Sequence, residues 1–241
     1  MTIHYHGTPI SPRAVLDTMA GRHFCVSYAN PQDVKHCHAI GQSVMLDNGA
    51  FSAWTAGRKV DWDGYYRWTE EWLAYPTTWA VIPDVIDGGE EANDALLLEW
   101  PHGDRGAPVW HADESIDRLL RLASVWPRVC VGSSGAYRVV GSEAWHRRMV
   151  EAMNALCPGG PVPCWLHMLR GMAMAGSHYP FASVDSTDVA RNHNRPQNSA
   201  LAMATLWDAQ QCPARWSRRP EFQPLMEVVP RLDGQVLETF T

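Results

Sequence analysis

Five apolar runs in this chain end on a carboxylate or an imidazole: Met45-Leu-Asp47, Val81-Ile-Pro-Asp84, Val109-Trp-His111, Pro163-Cys-Trp-Leu-His167 and Phe181-Ala-Ser-Val-Asp185. A sixth, Arg128-Val-Cys-Val-Gly132, opens into the turn Gly132-Ser-Ser-Gly135. Two carboxylates facing one pocket suit glycosidic-bond chemistry, in which one attacks the anomeric carbon while the other gives and takes a proton, provided their environments push their pKa values apart. Asp185 is the expected nucleophile and Asp47 the expected acid/base group.

Runs of four to six apolar residues bounded by polar breaks read as buried strands, and they alternate here with helical patterns. The strands are expected at 3–5, 23–28, 43–47, 79–84, 108–111, 128–132, 163–167 and 181–185. Between them, helices are expected from Pro12 with Ser11 as cap, over 32–40, after Asp61, over 90–100, around Ile116–Ala123, after Ser142, over 171–177 and over 197–211. Eight strand–helix units with short connections specify an α/β fold, a single (β/α)8 (TIM) barrel over 1–211, with 212–241 as a tail that packs on the barrel or frays. In such a barrel the strand C-termini converge on one mouth, which gathers Asp47, Asp84, His111, Gly132, His167 and Asp185.

Composition sets the limits around that site. A chain of 241 residues with 46% apolar content fills one such barrel. It has no long uncharged apolar stretch and no basic-then-apolar leader, so a cytoplasmic protein without a membrane partner is expected. Six cysteines without CxxC spacing read as reduced thiols. The formal charge of −6 argues against indiscriminate nucleic-acid binding. The halves differ, however: residues 1–120 hold 8 Lys/Arg against 17 Asp/Glu, and 121–241 hold 12 against 9, which permits a positive face on an acidic protein.

Taken in order, these motifs resemble those of the tRNA-guanine transglycosylase family and its DNA-acting relatives. Leu46-Asp47-Asn48-Gly49-Ala50-Phe51 is similar to the family's Asp-Ser-Gly-Gly-Phe motif, whose Asp is the acid/base group and whose Phe stacks on the base. Pro83-Asp84 resembles the strand end that reads the base edge, and His111 sits where the family often has Gln. Gly132, Ser133 and Ser134 resemble the Gly-rich turn lying against the base. His167 and Met168 resemble the segment walling the pocket, and Ser183-Val184-Asp185 the segment bearing the nucleophile. The resemblance implies exchange of guanine in nucleic acid for a 7-deazaguanine of the queuine type by double displacement, with no cofactor. The target nucleotide would be flipped or unpaired, and Arg138, Arg170, Arg191 and Arg195 would hold phosphates.

Family members acting on tRNA carry a Cys-x-Cys-x-x-Cys…His zinc site after the nucleophile. This chain has only Cys212 and His193 beyond Asp185, too few ligands for it. The likeness therefore points to the short DNA-modifying relatives found with phages and modification clusters, and no metal is expected. A tRNA-acting enzyme is the nearer alternative. A metal-dependent amidohydrolase-like barrel is the more distant one, with His4, His6, His111 and Asp185 as ligands. His36-Cys37-His38 is a third tempting cluster, but adjacent helical residues point in different directions. Most tryptophans read as core; Trp54 and Trp110, beside mouth residues, are candidates to touch substrate.

Overall fold

The protein is described as a computed structural model covering residues 1–219, so 220–241 of the expected tail lie outside the described residues. Nine strands form one parallel sheet: β1 Ile3–Gly7, β2 His23–Ser27, β3 Ser43–Asp47, β4 Thr78–Val81, β5 Gly106–Ala107, β6 Val109–His111, β7 Arg128–Gly132, β8 Trp165–Met168 and β9 Ser183–Ser186. Their order is β5-β4-β3-β2-β1-β9-β8-β7-β6, so the sheet's two edges are consecutive in the chain with Pro108 between them. The ring is thereby nearly closed, giving an α/β barrel of the TIM type. The strand expected over 108–111 begins one residue later, as β6, and Gly106–Ala107 forms a separate strand ahead of it, because Pro108 has no N–H to offer a ladder. Its carbonyl still accepts Cys130 N–H at 2.8 Å, and the Ala107 carbonyl accepts Ile82 N–H at 2.9 Å.

Nine α-helices alternate with these strands among the described residues: α1 Arg13–Asp17, α2 Val34–Ile40, α3 Ala50–Thr55, α4 Trp62–Trp72, α5 Gly89–Glu99, α6 Ile116–Val125, α7 Glu143–Leu156, α8 Asp188–Asn192 and α9 Ala200–Asp208. Side chains of Asp61, Ser115, Ser142 and Ser199 accept backbone N–H groups at the starts of α4, α6, α7 and α9 and fix where each begins. The closing helix accordingly starts at Ala200 rather than at Gln197. Helix α1 begins at Arg13 with Pro12 as its cap and no side-chain capping bond, so Ser11 does not cap it. The segment expected as a helix over 171–177 is a single 3-10 turn, Met172–Met174. The short helices α3 and α8, six and five residues long, show no periodicity that a sequence pattern could reveal.

Strand alternation sorts the side chains into layers. Tyr5, Cys25, Met45, Trp79, Val81, Ala107, Val109 and Cys130 fill the barrel interior. The intervening positions, such as Val44, Leu46, Leu166, Met168 and Val184, point outward into two apolar layers under the helices. Two residues on from the interior set, the same faces carry Ser27, Asp47, His111 and Gly132, with Asp185 registered against the interior Tyr5. The mouth is the top layer of the interior packing. Trp216, 3% exposed and stacked on Tyr179, holds residues 212–219 against the barrel. All six cysteines are free thiols. No helix among the described residues is long and apolar enough to cross a membrane.

Candidate active site

Asp47 ends β3 and leads into a tight turn. Gly49 adopts φ +77° and turns its N–H back to Asp47 Oδ2 at 3.1 Å. A side chain there would be strained by that φ and would press on the Ala29 backbone, so glycine is required. The turn launches α3, which carries Phe51 at the rim, 39% exposed. Burial pushes the Asp47 carboxyl up to about 6; the nearby charges of Asp185 and Asp84 add to the rise, against hydrogen bonds from Ser27 and Gly49 N–H. Asp47 is thus poised to carry a proton near neutral pH.

Asp84 lies three residues past β4, on an extension that still pairs through Ile82, and it is 6% exposed. Asn48 clamps it: Nδ2 donates to Asp84 Oδ1 at 2.7 Å and to the Ile82 carbonyl at 2.8 Å, while Oδ1 accepts Ala50 N–H at 2.8 Å. The other Asp84 oxygen lies 2.9 Å from His111 Nε2. That contact is an ion pair without hydrogen-bond alignment, and neither buried ring nitrogen of His111 has an aligned partner. Burial opposes the imidazolium, but Asp84, with Glu114 and Asp113 behind it, carries the His111 pKa above the ordinary histidine value. The strand end is held from outside: Glu114 Oε2 accepts His111 N–H at 2.8 Å and Arg118 Nη1 at 2.6 Å, and Arg118 also donates to the Val109 carbonyl. Gly132 permits this approach, since a Cβ there would meet His111 Nδ1 at 3.1 Å and Val109 at 3.0 Å.

Asp185, 8% exposed, is held through one oxygen. Its Oδ1 accepts Arg170 N–H at 2.7 Å and lies 3.2 Å from His167 Nε2; its Oδ2 accepts no hydrogen bond from any of the described residues. The other His167 nitrogen lies 2.8 Å from Ser183 Oγ. Burial lowers the His167 pKa despite the neighbouring Asp185, so the ring is a neutral donor that orients the carboxylate. The Arg170 guanidinium stacks 4.0 Å from the Phe51 ring centroid and donates to the Ser133 carbonyl at 3.2 Å.

The mouth therefore brings together Asp47, Phe51, Asp84, His111, Gly132, His167, Arg170, Asp185 and the Ser133 carbonyl. Several expected members lie elsewhere. Met168 alternates outward and packs in the helix-covered core, so it does not wall the pocket. Trp110 is fully buried with its indole N–H on the Ser115 carbonyl, so it cannot touch substrate. The hydroxyls of Ser133 and Ser134 are engaged with Trp145 Nε1 and Asp113, which leaves the backbone as that turn's contribution. Arg138, Arg191 and Arg195 are exposed on the connections that follow β7 and β9. Trp54 stays at the rim, 48% exposed and beside Phe51.

His4 and His6 occupy the outward positions of β1, where His6 Nε2 lies 2.9 Å and His4 Nδ1 3.9 Å from Asp208 on α9. The sheet separates them from His111 and Asp185, so the four residues do not form one ligand set, and no group of three metal-ligating side chains occurs among the described residues. His36 pairs with Asp17, Cys37 enters the core and His38 stacks between Trp72 and Tyr75. Asn48 and Ser183 went unassigned in the sequence, although both lie inside the quoted motifs; an amide or hydroxyl there gains meaning only once its partner strand is known.

No protein-family model, no curated protein and no solved structure matches the chain.

Proposed function

We propose that this protein exchanges guanine in nucleic acid, DNA in preference to tRNA, for a 7-deazaguanine base through a glycosyl intermediate on Asp185. The observation that carries the reading is the unequal pair of carboxyls on one mouth. Asp47 is pushed up to about 6 and so can hold a proton, while Asp185 is anchored through Oδ1 with Oδ2 free to attack. Such a division of labour is what base exchange by double displacement requires.

In the first step Asp185 Oδ2 bonds to C1′ as the C1′–N9 bond breaks, its electron pair passes to the purine, and the purine takes the Asp47 proton. In the second the incoming base returns a proton to Asp47, its N9 bonds to C1′, and the C1′–Oδ2 electron pair goes back to Asp185. Phe51 offers a stacking face for the base. Asp84 accepts from the N–H groups of its edge, and His111 donates to its carbonyl. A duplex nucleotide cannot reach a barrel mouth while stacked, so the substrate is flipped or single-stranded. The exposed Arg138, Arg191 and Arg195 suit phosphates flanking the target. The DNA preference rests on the chain having Cys212 as its single cysteine after Asp185, where tRNA-acting enzymes of the resembled family have a zinc site.

The test is guanine exchange into single-stranded DNA and into tRNA, followed by mass spectrometry of the nucleosides, with Asp185→Ala beside wild type. Exchange falling by about 10⁴-fold or more with an unchanged unfolding transition supports the assignment. Near-normal exchange by the variant would remove Asp185 from the reaction.

A further inference from the structure

Arg170 has a feature shared by no other non-glycine residue described here, a left-handed backbone at φ +54°. A long side chain in that region is strained, and strain of this kind persists only where its surroundings hold it in place. Two sets of contacts do so. The main-chain N–H is aimed at Asp185 Oδ1 at 2.7 Å. The side chain crosses the mouth to lie 4.0 Å from the centroid of Phe51 and to donate to the Ser133 carbonyl at 3.2 Å.

We infer that Arg170 is a positioning residue with two separable jobs: its backbone amide fixes the nucleophilic carboxylate, and its guanidinium holds the purine's place on Phe51 until a base displaces it. The inference rests on the base-exchange reading of the same mouth. A guanidinium is a planar, delocalised cation that stacks on aromatic faces as a purine does. It is within electrostatic reach of Asp185, Asp47 and Asp84, so it partly compensates three crowded acids. A base entering over Phe51 must move the guanidinium off the ring, while the amide, fixed by backbone geometry, stays on Asp185. Base entry and nucleophile alignment are thereby handled by one residue through different atoms.

Glycine separates the two jobs, because it accepts a left-handed backbone and keeps the N–H while losing the side chain. A β-branched residue loses the guanidinium too, but resists φ > 0 and swings the amide away. Radiolabelled guanine in equilibrium dialysis reads the first job, and the kcat of guanine exchange reads the second. Arg170→Gly is expected to bind guanine about tenfold more tightly than wild type, the scale of a displaced cation–π contact. Arg170→Val is expected to fall at least about a hundredfold below Arg170→Gly in kcat, the scale of a misplaced reacting group. Should Arg170→Val not fold, Arg170→Ala against Arg170→Gly gives the same contrast. Guanine binding by Arg170→Gly no tighter than wild type overturns the place-holding role. Equal kcat in the glycine and β-branched (or alanine) variants overturns the anchoring role. Wild-type protein that neither binds guanine nor exchanges it fails the base-exchange reading itself, an outcome distinct from both.

Discussion

Two acid–histidine pairs face each other across the mouth, and they are built to opposite ends. Asp84 has both oxygens occupied, by Asn48 and by His111, and its histidine is drawn upward in pKa although the site is buried. Asp185 gives one oxygen to two donors and leaves the other bare, and its histidine is pushed down. The neighbours make the difference. Burial opposes protonation of both rings; it prevails at His167, where Asp185 is the one acid and Arg128 adds to the opposition, and it is outweighed at His111 by Asp84, Glu114 and Asp113 together. The same two residue types thus make an ion pair with both carboxylate oxygens engaged on one side, and on the other a carboxylate with one oxygen left open, the one proposed as nucleophile. Residue identity alone does not set the protonation of such a pair; burial together with the count and sign of surrounding charges does.

The sharpest way to break this comparison is to delete one member from each pair and ask which kinetic constant moves. Asp84→Ala is expected to weaken guanine binding by about a hundredfold, the range of hydrogen bonds to a charged group, because both the base edge and the His111 imidazolium lose their partner. His167→Gln is expected to act on kcat, about tenfold, with little change in guanine affinity, since it touches only the orientation of Asp185. Dialysis and exchange kinetics on the two variants check this. If both variants shifted affinity and left kcat alone, the division of roles between the pairs would be lost.

The barrel was legible because it is written in repeated local patterns. Arg128–Gly132 as a strand and Ser142 as a helix cap could be read directly, since apolar runs and caps need only near neighbours. The placing of Asp47 and Asp185 at the mouth was legible for the same reason: one ends its strand and the other lies one residue short of the end, and in both strands alternate residues face inward. What escaped depends on contacts between distant segments. Met168 follows the inward His167 by one residue, and a shift of one position turns a side chain to the other face. His4 and His6 alternate outward with Tyr5 between them, a phase that a strand of five residues with mixed polarity does not announce. Asn48 could not be assigned because its partner Asp84 lies 36 positions away.

Asp47, proposed as the acid/base group, stands apart from both paired acids. The folded pKa of Asp47, about 6, lies above its ordinary value of 3.8, so the carboxyl binds a proton more tightly folded than unfolded. Its ionisation therefore costs stability as pH rises from about 4 through 6, and no cost remains at lower pH. Asp47→Asn removes that cost. The shift corresponds to at most about 3 kcal/mol, reduced to about 1–2 by the partial exposure of the site. Thermal unfolding is expected to show the variant about 3–6 °C above wild type at pH 7.5 and level with it at pH 4. A variant no more stable at pH 7.5 would mean that Asp47 is not under the pressure that the proposed acid/base role needs.

The smallest expected effect tests the two imidazoles directly, because their linkage signs are opposite. His111 has a folded pKa above its unfolded value, so its contribution is complete below about 6.5 and is lost as pH rises through the folded value. His167 has a folded pKa below its unfolded value, so its contribution is present above about 6.5 and is lost as pH falls. His111→Gln should then flatten the alkaline side of the Tm-against-pH curve relative to wild type, and His167→Gln the acid side, each by about 1–3 °C. Histidines elsewhere, such as buried His4 and half-buried His38, both lowered to about 4, also steepen the acid side, but they are common to all three proteins and cancel in the differences. Difference curves of the same sign would show that the two pairs feel one shared environment, and the contrast between the proposed edge reader and the proposed nucleophile would have to be sought in geometry alone.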